Sequence, residues 1–144
     1  MALRDALLDP TKKPAVIADC STLIDEEVSS KSGLSGMAVK AGYAAVKGIK
    51  PGFIKEVIEK LLPEFAEQVE PIWQEGAAKG DGAKYLVDNK GRVADALLTV
   101  TDAKSKNAKS SLVRGTYEKL RGSAKKNVED AVPRLAQLVK KYAT

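Results

Sequence analysis

The sequence has no histidine, one cysteine and few aromatic residues, and each shortage excludes a class of function. Histidine is the commonest general base and metal ligand, so Cys–His or Ser–His catalysis and histidine-containing zinc or di-iron sites are excluded. A single cysteine cannot form an internal disulfide, and nothing therefore points to an oxidising compartment. We predict no catalytic residue, no metal site and no cofactor. An enzyme that works with carboxylates or lysines alone is the least favoured interpretation.

Long apolar segments are also missing. No run approaches the roughly 18 uncharged apolar residues that a transmembrane helix needs. The first residues, MALRDALLDPTKK, lack the apolar region of a signal peptide and already carry Asp5 and Asp9. We therefore expect no transmembrane segment and a cytoplasmic location.

What the chain does contain is apolar residues at helical spacing, with almost none of the alternation typical of strands. The longest such stripe runs through residues 52–78 and is interrupted by Pro63 and Pro71. A proline inside a helix removes a hydrogen bond and kinks the helix. We therefore expect two helices that meet near Pro63, and a bend near Pro71.

Polar residues and glycines predict where the later helices begin and end. Asp81 is expected to cap a short helix, and Ser110 or Ser111 to cap a later one, because their side-chain oxygens accept from free backbone N–H groups. That later helix is expected to end at Gly122. Ser123 then opens the last helix.

The segment between Lys31 and Lys50, KSGLSGMAVKAGYAAVKGIK, is apolar on most sides, with a narrow stripe that contains Lys40 and Lys47. Such a helix is typical of a protein core. We therefore predict a central helix whose inner side carries Gly42 and three alanines, Ala38, Ala41 and Ala45. A phosphate-binding loop is excluded because Gly48 is followed by isoleucine rather than lysine.

Together these patterns predict an all-α fold: a compact, single-domain bundle over residues 1–144, with about six to eight helices, several of them bent at proline. A short helical solenoid is the alternative architecture. It has little support, because the tetrapeptide DALL occurs twice but its flanking residues do not match.

Several segments resemble a small bacterial, all-helical family of unknown function, over nearly the whole chain: PAVIADC, SGMAVKAGYAAVKGIKPGF, LPEFAEQVEPIW, ADALLTVTD and SAKKNVEDAVPRLAQLV. The resemblance implies one helical domain in a bacterial cytosol. It implies no activity, cofactor or catalytic residue.

Charge is distributed unevenly along the chain. Residues 1–75 carry 9 basic and 12 acidic side chains, whereas residues 76–144 carry 15 and 7. A basic region predicts an anionic partner such as nucleic acid, an acidic membrane surface or an acidic protein. The alternative is a solvated face that complements the acidic segment 56–75. If the region binds nucleic acid or another polyanion, the residues expected to contact it are Arg114, Lys119, Arg121, Lys125 and Lys126.

The favoured function is a non-enzymatic interaction or scaffold protein with an unknown protein partner, and nucleic-acid binding is the alternative.

Cys20 lies on the apolar side of its helix, between Val16 and Leu23. We therefore expect a buried, unreactive thiol there, since reactive cysteines occupy exposed, electropositive places.

Overall fold

The computed structural model describes residues 3–143, apart from the side chain of residue 35, and these residues form seven α-helices and no strand. The predicted all-α class and number of helices are confirmed. Residues 1, 2 and 144 of the predicted domain lie outside the described residues. The helices are α1 (Leu3–Leu8), α2 (Lys13–Ser30), α3 (Gly33–Lys47), α4 (Phe53–Ala78), α5 (Gly82–Asp88), α6 (Lys90–Lys106) and α7 (Ser111–Ala143).

The helices pack as a bundle rather than as a solenoid. Helices α1 and α2 each contact both α4 and α7, which are distant from them in sequence. In a solenoid each repeat contacts only its neighbours. A single apolar core draws side chains from α1, α2, α4, α5, α6 and α7, with Val16, Leu86, Val93 and Val132 fully buried.

The expected caps are present. The Asp81 carboxylate accepts a hydrogen bond from the Lys84 backbone N–H at 3.0 Å and so begins α5. The Ser110 hydroxyl accepts from the Val113 N–H at 3.3 Å at the start of α7. A further contact was not predicted: the Leu3 N–H donates to both carboxylate oxygens of Glu70, at 2.8 and 2.9 Å. This acceptor satisfies a backbone donor that α1 cannot pair internally.

Two predicted helix breaks are wrong. Helix α4 continues through Pro63 and Pro71, and α7 continues through Gly122. Leu62 and Ala66 are buried on either side of Pro63, so packing holds the helix where one hydrogen bond is lost. The Ser123 hydroxyl donates to the Leu120 carbonyl at 3.3 Å within the same helix, instead of capping a new one.

The prediction that residues 31–50 form a central core helix is also wrong, because α3 lies at the edge of the bundle. Ala41 and Ala45, which were expected on its inner side, are exposed, and Ala38 is half-buried. Gly42 does face a neighbour, since a Cβ at this position would lie 2.9 Å from Cγ2 of Thr116 on α7. Periodicity identifies residues that share a face, but it does not select the buried side of a helix that is apolar on most sides.

The side chain that orients α3 is polar. Tyr43 donates a hydrogen bond to the Asp25 carboxylate on α2, and Lys47 lies 3.6 Å from the same carboxylate. The stripe that was expected to face solvent therefore turns partly toward α2. The opposite side of α3 is left without a neighbour.

Candidate functional site

The five basic residues predicted to bind anions lie on two faces of α7. With about 100° of rotation per residue, Arg114, Arg121 and Lys125 fall on one side of the helix. Lys119 and Lys126 fall together, roughly 130° away. The structure therefore does not bring the five side chains into a single patch.

The first group of three already has partners within the chain. Arg121 Nε lies 2.8 Å from a carboxylate oxygen of Asp102, and Lys125 Nζ lies 3.2 Å from one of Asp95, both on α6. Arg114 donates to the backbone carbonyl of a residue just after α6. These contacts neutralise charge between α6 and α7. Their acidic partners belong to α6 and not to segment 56–75, which the solvated-face alternative named.

Lys119 and Lys126 are exposed, and neither has a carboxylate oxygen within 4.0 Å in the described part of the chain. Lys126 lines a polar groove of about 400 Å³, which also contains Lys31 and Asp130. Lys31 lies 3.3 Å from the Asp130 carboxylate, so the groove carries charges of both signs.

All four tyrosines share one arrangement: the hydroxyl donates to a carboxylate on another helix, and that carboxylate also pairs with a lysine or arginine. At Glu75 the Tyr85 hydroxyl lies 2.9 Å from Oε1 and Arg92 NH2 lies 2.7 Å from Oε2. These contacts join neighbouring helices. The four sets are Tyr43–Asp25–Lys47, Tyr85–Glu75–Arg92, Tyr117–Asp102–Arg121 and Tyr142–Asp19–Lys141.

Sequence reasoning missed these sets, although part of the signal is visible in the sequence. Tyr43 and Lys47 are four positions apart in the sequence, and so are Tyr117 and Arg121. Side chains with this spacing share a helix face. A tyrosine and a cation can therefore reach one carboxylate on a neighbouring helix.

Several carboxylates of α4 have structural partners. Glu64 lies 2.9 Å from Lys104 Nζ, and Glu70 accepts the N–H group that begins α1. Within residues 3–143, no group of three or more cysteine, aspartate and glutamate side chains is placed to hold a metal ion.

The outer side of α3 is the most apolar part of the described surface. The side chains of Leu34 and Met37 are 87% and 67% exposed. With about 100° per residue, Ala41, Ala44 and Ala45 lie on the same side, each within roughly 20° of Leu34 or Met37. Two further large apolar residues are exposed: Ile49, which follows α3, and Leu112, in the first turn of α7. Hereafter this side of α3, with Leu34, Met37, Ala41, Ala44 and Ala45, is called the α3 face.

The interior contains an apolar cavity of about 180 Å³. Sixteen residues of α1, α2, α4, α6 and α7 line it, and all are apolar except Cys20. The two longest helices, α4 and α7, both line the cavity, yet their Cα atoms nowhere approach within 8 Å.

Cys20 is half-buried and its thiol lines the cavity. Burial, together with the nearby Asp19 carboxylate, raises the pKa of the thiol to about 11. The predicted apolar surroundings are therefore found, although the residue is not fully buried. Its low reactivity stays a prediction.

Comparison with known proteins adds the family but no activity. No curated protein and no solved structure matches the chain. No helix in residues 3–143 combines the length and the apolar character needed to cross a membrane. The predicted resemblance to a helical family of unknown function is confirmed, whereas a bacterial origin stays a prediction. A family model matches residues 3–143, and the chain belongs to that family, the family of unknown function DUF6918.

Proposed function

We propose that this protein is a non-enzymatic, cytoplasmic interaction protein that docks a helix of a protein partner on the α3 face. One observation carries the proposal: of the four large apolar residues that are exposed in the described part of the chain, Leu34 and Met37 lie on α3 and are the most exposed, at 87% and 67%, and Ile49 follows directly after that helix. The accessible surface, 8086 Å², also exceeds the roughly 7,200 Å² expected of a compact monomer of this mass. Large apolar side chains exposed together on one side of a helix are typical of an interaction site.

A helix fits this face better than a lipid surface does. Ala41, Ala44 and Ala45 have short side chains, so a partner helix could approach the α3 backbone closely. Membrane binding instead depends on the apolar area inserted among lipids, and alanines supply little of it. Leu34 and Met37 would be the two anchoring side chains, one turn apart, as in helix-in-groove recognition.

Charge indicates the chemistry of the partner. Residues 31–50 contain four lysines and no acidic residue. Lys40 has no carboxylate oxygen within 4.0 Å among the described residues, and the Lys47 side chain is 60% exposed. Lys31, Lys47 and Lys50 already pair with Asp130, Asp25 and Glu56. Lys40 is therefore the cation that a partner helix with carboxylates beside its apolar stripe would complement. A second copy of this chain fits less well, because antiparallel pairing centred on the α3 face would bring Lys40 of one copy near Lys40 of the other.

A photo-crosslinking amino acid at position 37, in the full-length protein in its host cell, tests this proposal. We expect one crosslinked protein from position 37, none from the exposed position 68 on α4, and loss of the product in a Leu34→Glu background. Crosslinking to a second copy of the chain or to lipid, or a product that persists in Leu34→Glu, would overturn the proposal.

Polyanion binding is the second candidate, and it is supported by the exposed, unpaired Lys119 and Lys126. Two phosphate contacts contribute roughly 1.8 to the slope of log affinity against log salt. The double variant Lys119→Gln/Lys126→Gln should therefore bind a DNA column with a slope smaller by that amount. If the native protein is not retained on the column at low salt, this candidate fails.

A further inference from the structure

The apolar cavity lies next to a shallow groove that has six polar or charged residues among its nine lining residues, although most of its wall is apolar. The groove, of about 540 Å³, runs between α2 and α7. Leu23 of α2 and Leu138 of α7 line both the groove and the cavity. We propose that the cavity and the groove together bind an amphiphile, with its apolar end in the cavity and its uncharged polar end in the groove.

The cavity has no means of holding water. A buried water needs two to four polar partners, and the Cys20 thiol, a weak donor, is the one polar group among the sixteen lining side chains. The surrounding backbone belongs to helices, whose N–H and C=O groups are paired internally. An apolar occupant is therefore the one that the lining can accommodate.

The volume sets the size of the apolar end. A cavity of about 150 Å³ with a leucine, isoleucine and phenylalanine lining stays dry and binds benzene. The cavity here measures about 180 Å³ and has a similar lining, including Phe65, Leu62 and Ile58. It therefore takes a six-carbon ring or an alkyl chain of similar size.

The position of the cavity explains why the protein does not simply close it. Helices α4 and α7 face each other across it without direct backbone contact, while α1, α2 and α6 pack around them. Collapse would require α4 and α7 to move together, and α1, α2 and α6, each packed against both helices, hold them apart. Two ion pairs, Lys141–Asp19 at 2.9 Å and Arg134–Glu27 at 2.8 Å, also join α7 to α2.

The groove determines the polar end of the ligand. Its charged side chains pair with each other or with close neighbours: Lys141 with Asp19, and Arg134 with Glu26 at 3.3 Å. A charged headgroup would have to break such a pair. A hydroxyl or an amide could instead hydrogen-bond to Thr22 or Gln137, which also line the groove. The ligand class is therefore an uncharged, short-chain amphiphile.

A comparison of 1-hexanol with 1,6-hexanediol tests the proposal on the native protein. Both have the same chain, but the diol would bury a second hydroxyl without a partner. We expect 1-hexanol to bind in calorimetry and to slow alkylation of Cys20 severalfold, and the diol to bind at least tenfold more weakly. From 1-butanol to 1-hexanol the affinity should rise about fourfold per methylene, from a burial free energy of about 0.8 kcal/mol each.

The second test fills the cavity with a larger side chain. Ala131→Leu adds a side chain on the lining of the cavity, whereas Ala44→Leu adds the same group on the exposed α3 face. We expect 1-hexanol binding to be lost in the first variant and kept in the second. Equal binding of 1-hexanol and the diol, or unchanged binding in a folded Ala131→Leu protein, would overturn the proposal. Should Ala131→Leu fail to fold, the comparison of hexanol with the diol on the native protein decides.

Discussion

The hydroxyl of Tyr85 donates a hydrogen bond to Oε1 of Glu75 at 2.9 Å, and Arg92 holds the same carboxylate. The three residues belong to α5, α4 and α6, so one carboxylate joins three helices. Tyr85 also packs against the carboxyl end of α4, where a Cβ at Gly76 would lie 2.5 Å from the Tyr85 Cβ. The contact therefore fixes how the short helix α5 sits on α4.

This contact predicts a loss of stability in acid. Arg92, and then Tyr85, lower the pKa of Glu75 to about 2. A carboxyl group whose pKa is lower in the folded state stabilises the protein at pH values above its unfolded pKa. That stabilisation should disappear as the pH falls from the ordinary value of 4.5 toward about 2.

Urea denaturation of the native protein and of Glu75→Gln between pH 7 and pH 2.5 measures this effect. We expect the variant to be less stable at pH 7, and the difference between the two proteins to shrink as the pH falls below 4.5. Asp5→Asn, on an exposed residue of α1, is the control and should show little difference at pH 7. A gap between Glu75→Gln and the native protein that stays constant over the whole range would contradict the assignment.

Glycine at position 82 is required by close packing between α4 and α5. A Cβ there would lie 2.7 Å from Cζ3 of Trp73, a buried ring that has little room to move. Gly82→Ala should therefore lower the free energy of unfolding by about 1–3 kcal/mol, the usual range for overpacking. Thermal or urea denaturation measures the change.

The matched control is Gly122→Ala in the exposed middle of α7, where an added Cβ meets no atom within 4 Å. Alanine is the better helix former by about 1 kcal/mol, so this substitution should stabilise the protein. If both alanine variants change stability in the same direction, the packing explanation for Gly82 is wrong.

The orientation of α3 can be tested by adding the same side chain on its two sides. Gly42 faces α7, where a Cβ would already lie 2.9 Å from Thr116 and 3.1 Å from Leu120. Gly42→Leu should therefore overpack this contact and lose about 1–3 kcal/mol or more. Ala41→Leu, the neighbouring residue on the exposed α3 face, should change the melting temperature little. A larger loss for Ala41→Leu would show that α3 is turned the other way.

Sequence patterns predict the helices of this fold better than they predict how the helices pack against one another. Asp81 and Ser110 were identified correctly because a cap depends on residues within one turn. The break expected at Pro63 does not occur, because buried neighbours on both sides compensate for one missing hydrogen bond. The side of α3 that faces solvent depends on Asp25, a residue of another helix, and no local pattern contains that information.

The candidate sites could likewise be predicted only in part from the sequence. Basic residues are visible in the sequence, but whether Arg121 and Lys125 are available depends on Asp102 and Asp95, which α6 brings beside them. The cavity has no sequence signal, because it results from the distance at which five helices meet. The exposed α3 face was predicted as apolar, but it was assigned to the core because an apolar helix is usually buried.

The reactivity of Cys20 gives a last prediction. The thiol lines the cavity, and its pKa is raised to about 11, first by burial and then by the Asp19 carboxylate. Because the thiolate is the reactive form, alkylation of the folded protein at pH 8 should be slow. The alkylation rate should keep rising with pH beyond 9, where the rate of an ordinary thiol levels off.

In denaturant both causes of the pKa shift are removed, and the thiol should react like a free cysteine. Mass spectrometry after timed alkylation, with and without urea, gives the two rates. Equal rates in the two conditions would mean that the thiol is freely accessible to solvent, which would contradict its place on the cavity wall.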